Sequence, residues 1–207
     1  MIYVAGGTFN MGADDSDAYD REKPVHSVTV SGFSIGKYEV TQRLWKAVMG
    51  TNPSYNKGDN LPVENVSWNQ VQEFIRKLNA MTGKHYRLPT EAEGEFAARG
   101  GNRSQGYIYS GSSNLSSVAW YYDNSGRKTH PVGTKAPNEL GIYDMSGNVW
   151  EWTSDIWCTD YKSPRTGSGR VYRGGSWFDS AWGCRVSSRY YDAPDFCNYD
   201  LGFRLAQ

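Results

Sequence analysis

The stretch Gly141-Ile142-Tyr143-Asp144-Met145-Ser146-Gly147-Asn148-Val149-Trp150-Glu151-Trp152, taken with Arg173-Gly174-Gly175-Ser176-Trp177 and Leu201-Gly202-Phe203-Arg204, decides the fold class. Strand patterns return here, at residues 149–153, 171–177, 184–189 and 202–205, after a segment (101–141) that shows little regular pattern. Long structureless segments are uncommon in compact domains, and are often functional or specially tied down.

Working outward, Ile2-Tyr3-Val4-Ala5-Gly6-Gly7-Thr8-Phe9-Asn10-Met11-Gly12 reads as two short strands around a Gly-Gly turn. Residues 13–24 are polar and read as a loop, and 26–35 as a strand broken near Gly32. Three helices follow. Thr41 begins the first, with Leu44, Trp45 and Val48 on one face and Gly50 past the end. Ser67 and Gln70 make a capping box for the second, whose apolar face is Val71, Phe74, Ile75, Leu78 and Met81, and Gly83 ends it. Thr90 and Glu93 make a second box, and that helix runs to Arg99 before Gly100 and Gly101 stop it. The order β, helices, loop, β predicts an α+β fold with a small antiparallel sheet, and 207 residues suit one domain over 1–207.

Composition narrows the function classes. Only 38% of the chain is hydrophobic, while 23 Gly, 15 Tyr and 8 Trp point to a loop-rich fold packed around large rings. Lys and Arg balance Asp and Glu, 22 against 22, and no basic stripe is present, so no nucleic-acid partner is expected. Three cysteines, Cys158, Cys184 and Cys197, are too few for a disulfide framework and form no CxxC zinc motif. His26, His85 and His130 are scattered, without metal-ligand spacing. No stretch of 18 apolar residues exists.

Seven ordered phrases carry a specific resemblance: Gly6 to Gly12, Tyr38-Glu39-Val40-Thr41, Pro62-Val63-Glu64-Asn65-Val66-Ser67-Trp68, Arg87-Leu88-Pro89-Thr90-Glu91-Ala92-Glu93, and the three C-terminal phrases quoted first. In this order the chain resembles the formylglycine-generating-enzyme (sulfatase-modifying factor) family. The resemblance implies that family's C-type-lectin-like fold, with few helices and much irregular structure. Its enzymes use two copper-binding cysteines. The corresponding positions here are Asp179 and Cys184, so the first thiol is missing. Copper(I) favours paired soft ligands. Neither copper nor enzymatic activity is therefore expected, and Cys184 reads as a small buried apolar side chain. The alternative is an altered oxidase with Cys184 as its single active thiol. The resemblance also implies one structural calcium ion at Asp144, the carbonyls of Gly147 and Val149, and Glu151, oxygen donors that suit a hard cation. Relatives often carry Trp where this chain has Gly94, a change that opens a local gap or lets another chain approach.

The segment 178–200 stands apart. Residues 177–206 contain no Lys, Glu, Gln or Met, and the mixture of Tyr, Ser, Asp and Gly is that of adaptable binding surfaces. A regular frame (Arg173 to Trp177, Cys184, Arg185, Val186, Arg189, Pro194, Asp195, Leu201 to Arg204) is interrupted by Phe178, Asp179, Ser180, Trp182, Gly183, Ser188, Tyr190, Tyr191, Asp192, Ala193, Phe196, Asn198, Tyr199 and Asp200. This pattern resembles the variable region of diversity-generating-retroelement proteins, and among them the variable lipoproteins of Treponema. In those systems adenines are randomised during reverse transcription. An Asn codon ending in a pyrimidine then reaches Phe, Ser, Tyr, Cys, Asp, Gly, Ala or Asn, but not Lys, Glu, Gln, Met or Trp. Trp182 is reachable from an AGG codon. The reading is a binding protein whose region 173–207 varies on a fixed scaffold. The interrupting residues contact a macromolecular ligand, either a protein or a component of a host or bacterial surface. The resemblance implies display on a bacterial cell surface through a lipid anchor outside this chain.

Overall fold

The computed structural model describes residues 1–161, 163 and 167–207. Its helices form where the caps are. In α1 (Gln42–Met49), Thr41 Oγ1 accepts the Leu44 N–H, and Gly50 closes the last turn in the left-handed region at φ 77°. Both bonds of the Ser67–Gln70 box start α2 (Trp68–Thr82), and both bonds of the Thr90–Glu93 box start α3 (Glu91–Ala98). Val71, Phe74, Ile75 and Leu78 are buried as the helical period requires; Met81, in the last turn, is exposed.

The N-terminal strands depart from the expected turn-linked pair. β1 (Ile2–Val4) pairs antiparallel with β4 (Phe33–Ile35), and β2 (Gly7–Met11) pairs with β3 (His26–Val30), so Gly6 and Gly7 form a corner where the chain changes partners. A side chain at Gly6 would sit 2.7 Å from the Val30 carbonyl, a close approach only glycine allows.

The main sheet holds β5 (Trp150–Ile156), β6 (Arg170–Arg173), β7 (Arg189–Asp192) and β8 (Leu201–Gly202) in the order β7-β6-β5-β8. The first three run antiparallel, while β8 lies parallel to β5, so the sheet is mixed at one edge. Two expected strands shift. Arg173 is the last strand residue of β6, because Gly174 (φ 102°) and Gly175 (φ 73°) turn the chain. The strand expected at 184–189 is instead a 3-10 turn, Ala181–Cys184, followed by irregular backbone; the Val186 N–H bonds to the Ile108 carbonyl rather than to the sheet. Segment 101–141 contains a 3-10 turn (Gly101–Arg103) and one α-helical turn, α4 (Leu115–Val118), and is tied down by polar side chains. Asn138 alone donates to the Ala97 carbonyl and Ser110 Oγ and accepts from the Leu140 and Ile142 N–H groups.

Two large apolar clusters form most of the core. One is built on Trp45, stacked 5.1 Å from Phe74 with Phe203 edge-on to both, and continues through Trp152 to Tyr172. The other joins Val4, Phe33, Ile35 and Phe96. Gly94 is buried in α3 with nothing within 4 Å of where a Cβ would stand, and it borders a cavity lined by Ile35, Met145 and Trp152. This glycine costs α3 about 0.5–1 kcal/mol relative to Ala.

Four buried arginines bolt the C-terminal segment to the rest of the chain. Arg173 pairs with Glu95, Arg185 with Glu22 (2.9 Å), Arg189 with Glu91 (2.5 Å) and Arg204 with Glu151 (2.5 Å). Each donates further to backbone carbonyls or side-chain oxygens, which helps a buried charge to be tolerated, although Arg173 Nε has no hydrogen-bond partner among the described residues.

Candidate functional site

The arginine frame determines which side chains of 178–200 face outward. Phe178, Trp182, Tyr190, Tyr191, Phe196 and Tyr199 are all exposed large aromatic side chains, between 36% and 50% accessible. Ser180 and Ala193 are exposed beside them, and Asp179, Gly183, Asp192 and Asn198 are half-buried. Ser188 and Asp200 lie inside the protein, where they cannot meet a ligand directly. Ser188 gives its carbonyl to Arg173, and Asp200 gives its carbonyl to the Trp150 N–H and its carboxylate to Ser176.

The exposed rings are held by neighbours rather than left loose. Tyr191 stacks on Trp157 at 4.3 Å, and Tyr190 leans on Tyr172 at 5.9 Å. Phe178 and Tyr199 pack edge-on against each other, and both contact Trp177, whose indole N–H donates to the Tyr199 carbonyl. Trp182 sits over the guanidinium of Arg185, which is itself fixed to Glu22. Rigid aromatic side chains offer large contact area at low entropic cost.

Beneath this face lies an acidic floor. Ser176 Oγ donates to Asp179 at 2.5 Å and lies 3.1 Å from Asp200. Burial raises both carboxyls above their usual range; Asp200 is pushed up to about 6, with a further contribution from neighbouring Asp179. Cys184 lies alongside, wholly buried, its thiol pushed well above the usual range by burial and then by Asp179. A thiolate is the form that attacks or binds metal, and both causes oppose it. One protonated thiol beside a carboxylate does not fit a copper(I) site.

The residues expected around calcium form a separate cluster. Asp144 (φ 58°), Gly147 (φ 79°) and Asn148 (φ 62°) curl the chain, and Asp144 Oδ2 accepts the Gly133 N–H at 2.7 Å. Asp144 Oδ1 is buried without a hydrogen-bond partner among the described residues. Both Glu151 oxygens accept from Arg204. Glu39, which sequence reading did not single out, is buried in the same cluster and accepts from Asn148 Nδ2 and the Val149 N–H. Three buried carboxylates thus share one guanidinium, and burial raises all three, Asp144 to about 6. The excess negative charge and the orphaned Asp144 oxygen fit a bound cation. Among the described residues no three His, Cys, Asp or Glu side chains are grouped to hold a metal, so backbone carbonyls would have to supply most of the donors.

Two of the three histidines serve structure: His26 packs on Tyr161, and His130 stacks 3.7 Å from Trp120, while His85 is exposed.

Three further exposed tyrosines touch the face from distant loops. Tyr19 is edge-on to Trp182, Tyr55 is tilted against Tyr199, and Tyr122 is edge-on to Phe178, with centroids 6.2–6.3 Å apart. Tyr19 and Tyr55 are isolated rings in polar stretches and Tyr122 ends the run Trp120-Tyr121-Tyr122, and no local pattern marks any of them as part of a site.

The model of the sulfatase-modifying factor enzyme 1-like domain matches residues 1–207. The chain is 37% identical to the chaperone protein LppX of Paenibacillus barcinonensis, over 90% of this chain and 81% of that one. It is 30% identical to the formylglycine-generating enzyme of Thermomonospora curvata, over 100% and 92%. Among solved structures, Treponema denticola variable protein 1 superposes with a TM-score of 0.90 at 36% identity, covering 100% of this chain and 94% of that one.

Proposed function

This chain belongs to the sulfatase-modifying factor enzyme 1-like family, and from that premise we propose that it is a non-enzymatic ligand-binding protein whose C-terminal face varies on a fixed scaffold. The observation that carries the proposal is the division of the C-terminal segment. Arg173, Arg185, Arg189 and Arg204 are buried in ion pairs, whereas Phe178, Trp182, Tyr190, Tyr191, Phe196 and Tyr199 are exposed on the backbone those pairs fix. Exposed side chains whose contacts are mostly with other surface rings, on a backbone fixed elsewhere, can be exchanged at modest cost in stability. The similarity to a variable protein of Treponema denticola supports this reading, and the buried, protonated Cys184 opposes the oxidase alternative. Ser188 and Asp200 support the face from inside, and the remaining interrupting residues supply the contact surface. The ligand is a macromolecule: among the described residues, Trp182, Tyr190, Tyr191 and Tyr199 line none of the five principal cavities, and exposed rings spread over an open face suit another surface. Display on a bacterial surface accompanies this role.

Two measurements test it. The gene should lie near a reverse-transcriptase gene and a near-repeat of its own 3′ end carrying adenines at the interrupting codons. Peptides selected on this protein from a random display library should bind Trp182→Ala and Tyr191→Ala variants about 10-fold or more weakly, with melting temperature unchanged. Clones that bind all three proteins equally would defeat the proposal.

A structural calcium ion is part of the same reading. Asp144 Oδ1 and the Gly147 and Val149 carbonyls would hold it, with Glu151 kept in place by Arg204. Bound calcium supplies charge neutralisation for the buried carboxylates and no chemistry. Because a ligand that binds only the folded chain stabilises it, millimolar calcium should raise the melting temperature of EDTA-treated protein by several degrees. Superimposable melts would remove the ion from the account.

A further inference from the structure

The loop at 13–23 lies outside the segment that varies, yet it reaches the same face. Tyr19 is exposed and meets Trp182 edge-on. Arg21 places its guanidinium carbon 4.1 Å above the Tyr19 ring and 4.6 Å above Tyr190. The face therefore already takes one guanidinium between a scaffold ring and a segment ring. Asp14, Asp15, Asp17 and Asp20 are exposed on the same loop. Its remaining charges are Lys23, which lies 3.4 Å from Asp20, and Glu22, which is buried on Arg185. Segment 178–200 adds Asp192 and the exposed Asp195 and contributes no accessible cation, since Arg185 and Arg189, its two basic residues, are buried on Glu22 and Glu91.

We propose that this loop is the constant half of the ligand face, and that it biases the face toward protein segments rich in arginine, with lysine second. The inference rests on the ligand-binding reading above and adds the chemistry of the partner. Aromatic rings attract cations through their electron-rich faces, and a planar guanidinium stacks on them better than an ammonium group does. The aspartates supply complementary charge around the rings, and steer a basic partner toward the face. Exchange of the interrupting residues would then alter shape recognition while Tyr19 and the aspartates keep the charge preference fixed.

The test uses oligo-arginine, oligo-lysine and oligo-glutamate peptides of equal length, with binding read by fluorescence anisotropy at two salt concentrations. Oligo-arginine should bind more tightly than oligo-lysine, oligo-glutamate should not bind, and added salt should weaken the arginine complex. Tyr19→Ala, and separately the triple variant Asp14→Asn, Asp17→Asn, Asp20→Asn, should each weaken oligo-arginine about 10-fold without changing the melting temperature. Oligo-glutamate binding as well as oligo-arginine, or oligo-arginine indifferent to both variants, would overturn the inference. The library clones separate the two levels. Clones without Arg or Lys that still depend on Trp182 and Tyr191 leave the ligand-binding reading intact and remove this one; clones indifferent to Trp182 and Tyr191 remove both.

Discussion

Replacing Arg189 by Ala should destabilise the protein by about 3–5 kcal/mol, the usual cost of stripping one partner from a buried ion pair. Arg189 is fully buried at the head of β7. Its Nε and one terminal nitrogen both donate to Glu91, at 2.5 and 2.8 Å, and the other terminal nitrogen donates to the carbonyls of Arg21 and Cys158. Truncation leaves Glu91 charged and buried, with Arg173 Nε at 3.6 Å as its nearest remaining cation, and leaves the two carbonyls without this donor. The cavity left by the side chain adds to the loss. Urea denaturation followed by tryptophan fluorescence measures this directly. The midpoint should fall with the slope unchanged, since the surface exposed on unfolding is nearly the same. Removing both charges, as Arg189→Met with Glu91→Met, should cost less than removing Arg189 alone, because no unpaired charge is then buried. A single variant within 1 kcal/mol of wild type would show that the pair does not bolt the segment down.

That frame was legible in the sequence only as punctuation. Arg173 and Arg204 stood out as members of the Arg173 to Trp177 and Leu201 to Arg204 phrases, and Arg185 and Arg189 as regular residues among the interrupting ones. Their partners Glu22, Glu91, Glu95 and Glu151 lie at separations from 53 to 163 residues, which no local pattern encodes. The helices were readable because their signals are local: the Ser67–Gln70 and Thr90–Glu93 boxes and Gly50 and Gly83 act within one turn. The sheet was less so. The segment at 184–189 alternates like a strand, yet its backbone is claimed by Ile108 and by the pull of Glu22 on Arg185 and Ser187. Tyr19, Tyr55 and Tyr122 escaped notice for the same reason, since each joins the face only through tertiary packing.

Glu64 should make the protein more stable in mild acid than at neutral pH, by about 3 kcal/mol across the window it controls. Its side chain lies fully inside the protein, where Oε1 accepts the Asn56 N–H at 2.8 Å and Oε2 has no hydrogen-bond partner among the described residues. Burial is the largest influence and raises its pKa from 4.5 to about 7; N–H groups of the 55–56 backbone and Lys57 pull it down, and Asp200 pushes it further up. A carboxyl whose folded pKa exceeds its unfolded one binds its proton more tightly in the folded state. The stabilisation is therefore complete below pH 4.5 and drains away as pH rises toward 7, where the native chain must bury a charge. Asp200, raised to about 6, acts in the same direction, while Glu93 and Glu95, lowered by their arginines, act oppositely at lower pH. The total profile mixes these, so the informative quantity is the difference between wild type and Glu64→Gln, which cannot titrate. Measured by urea unfolding at half-unit steps from pH 4.5 to 8, that difference should shift in favour of the glutamine variant by about 3 kcal/mol as pH rises. A difference that stays flat over the whole range would mean that Glu64 is not held unpaired in the interior. The loop that carries Tyr55 to Tyr199 would then be held by its other ties: Gln42 Nε2 donating to the Asn56 carbonyl, Asn52 Nδ2 donating to Gln42 Oε1, and Asn65 Nδ2 donating to the Pro53 carbonyl.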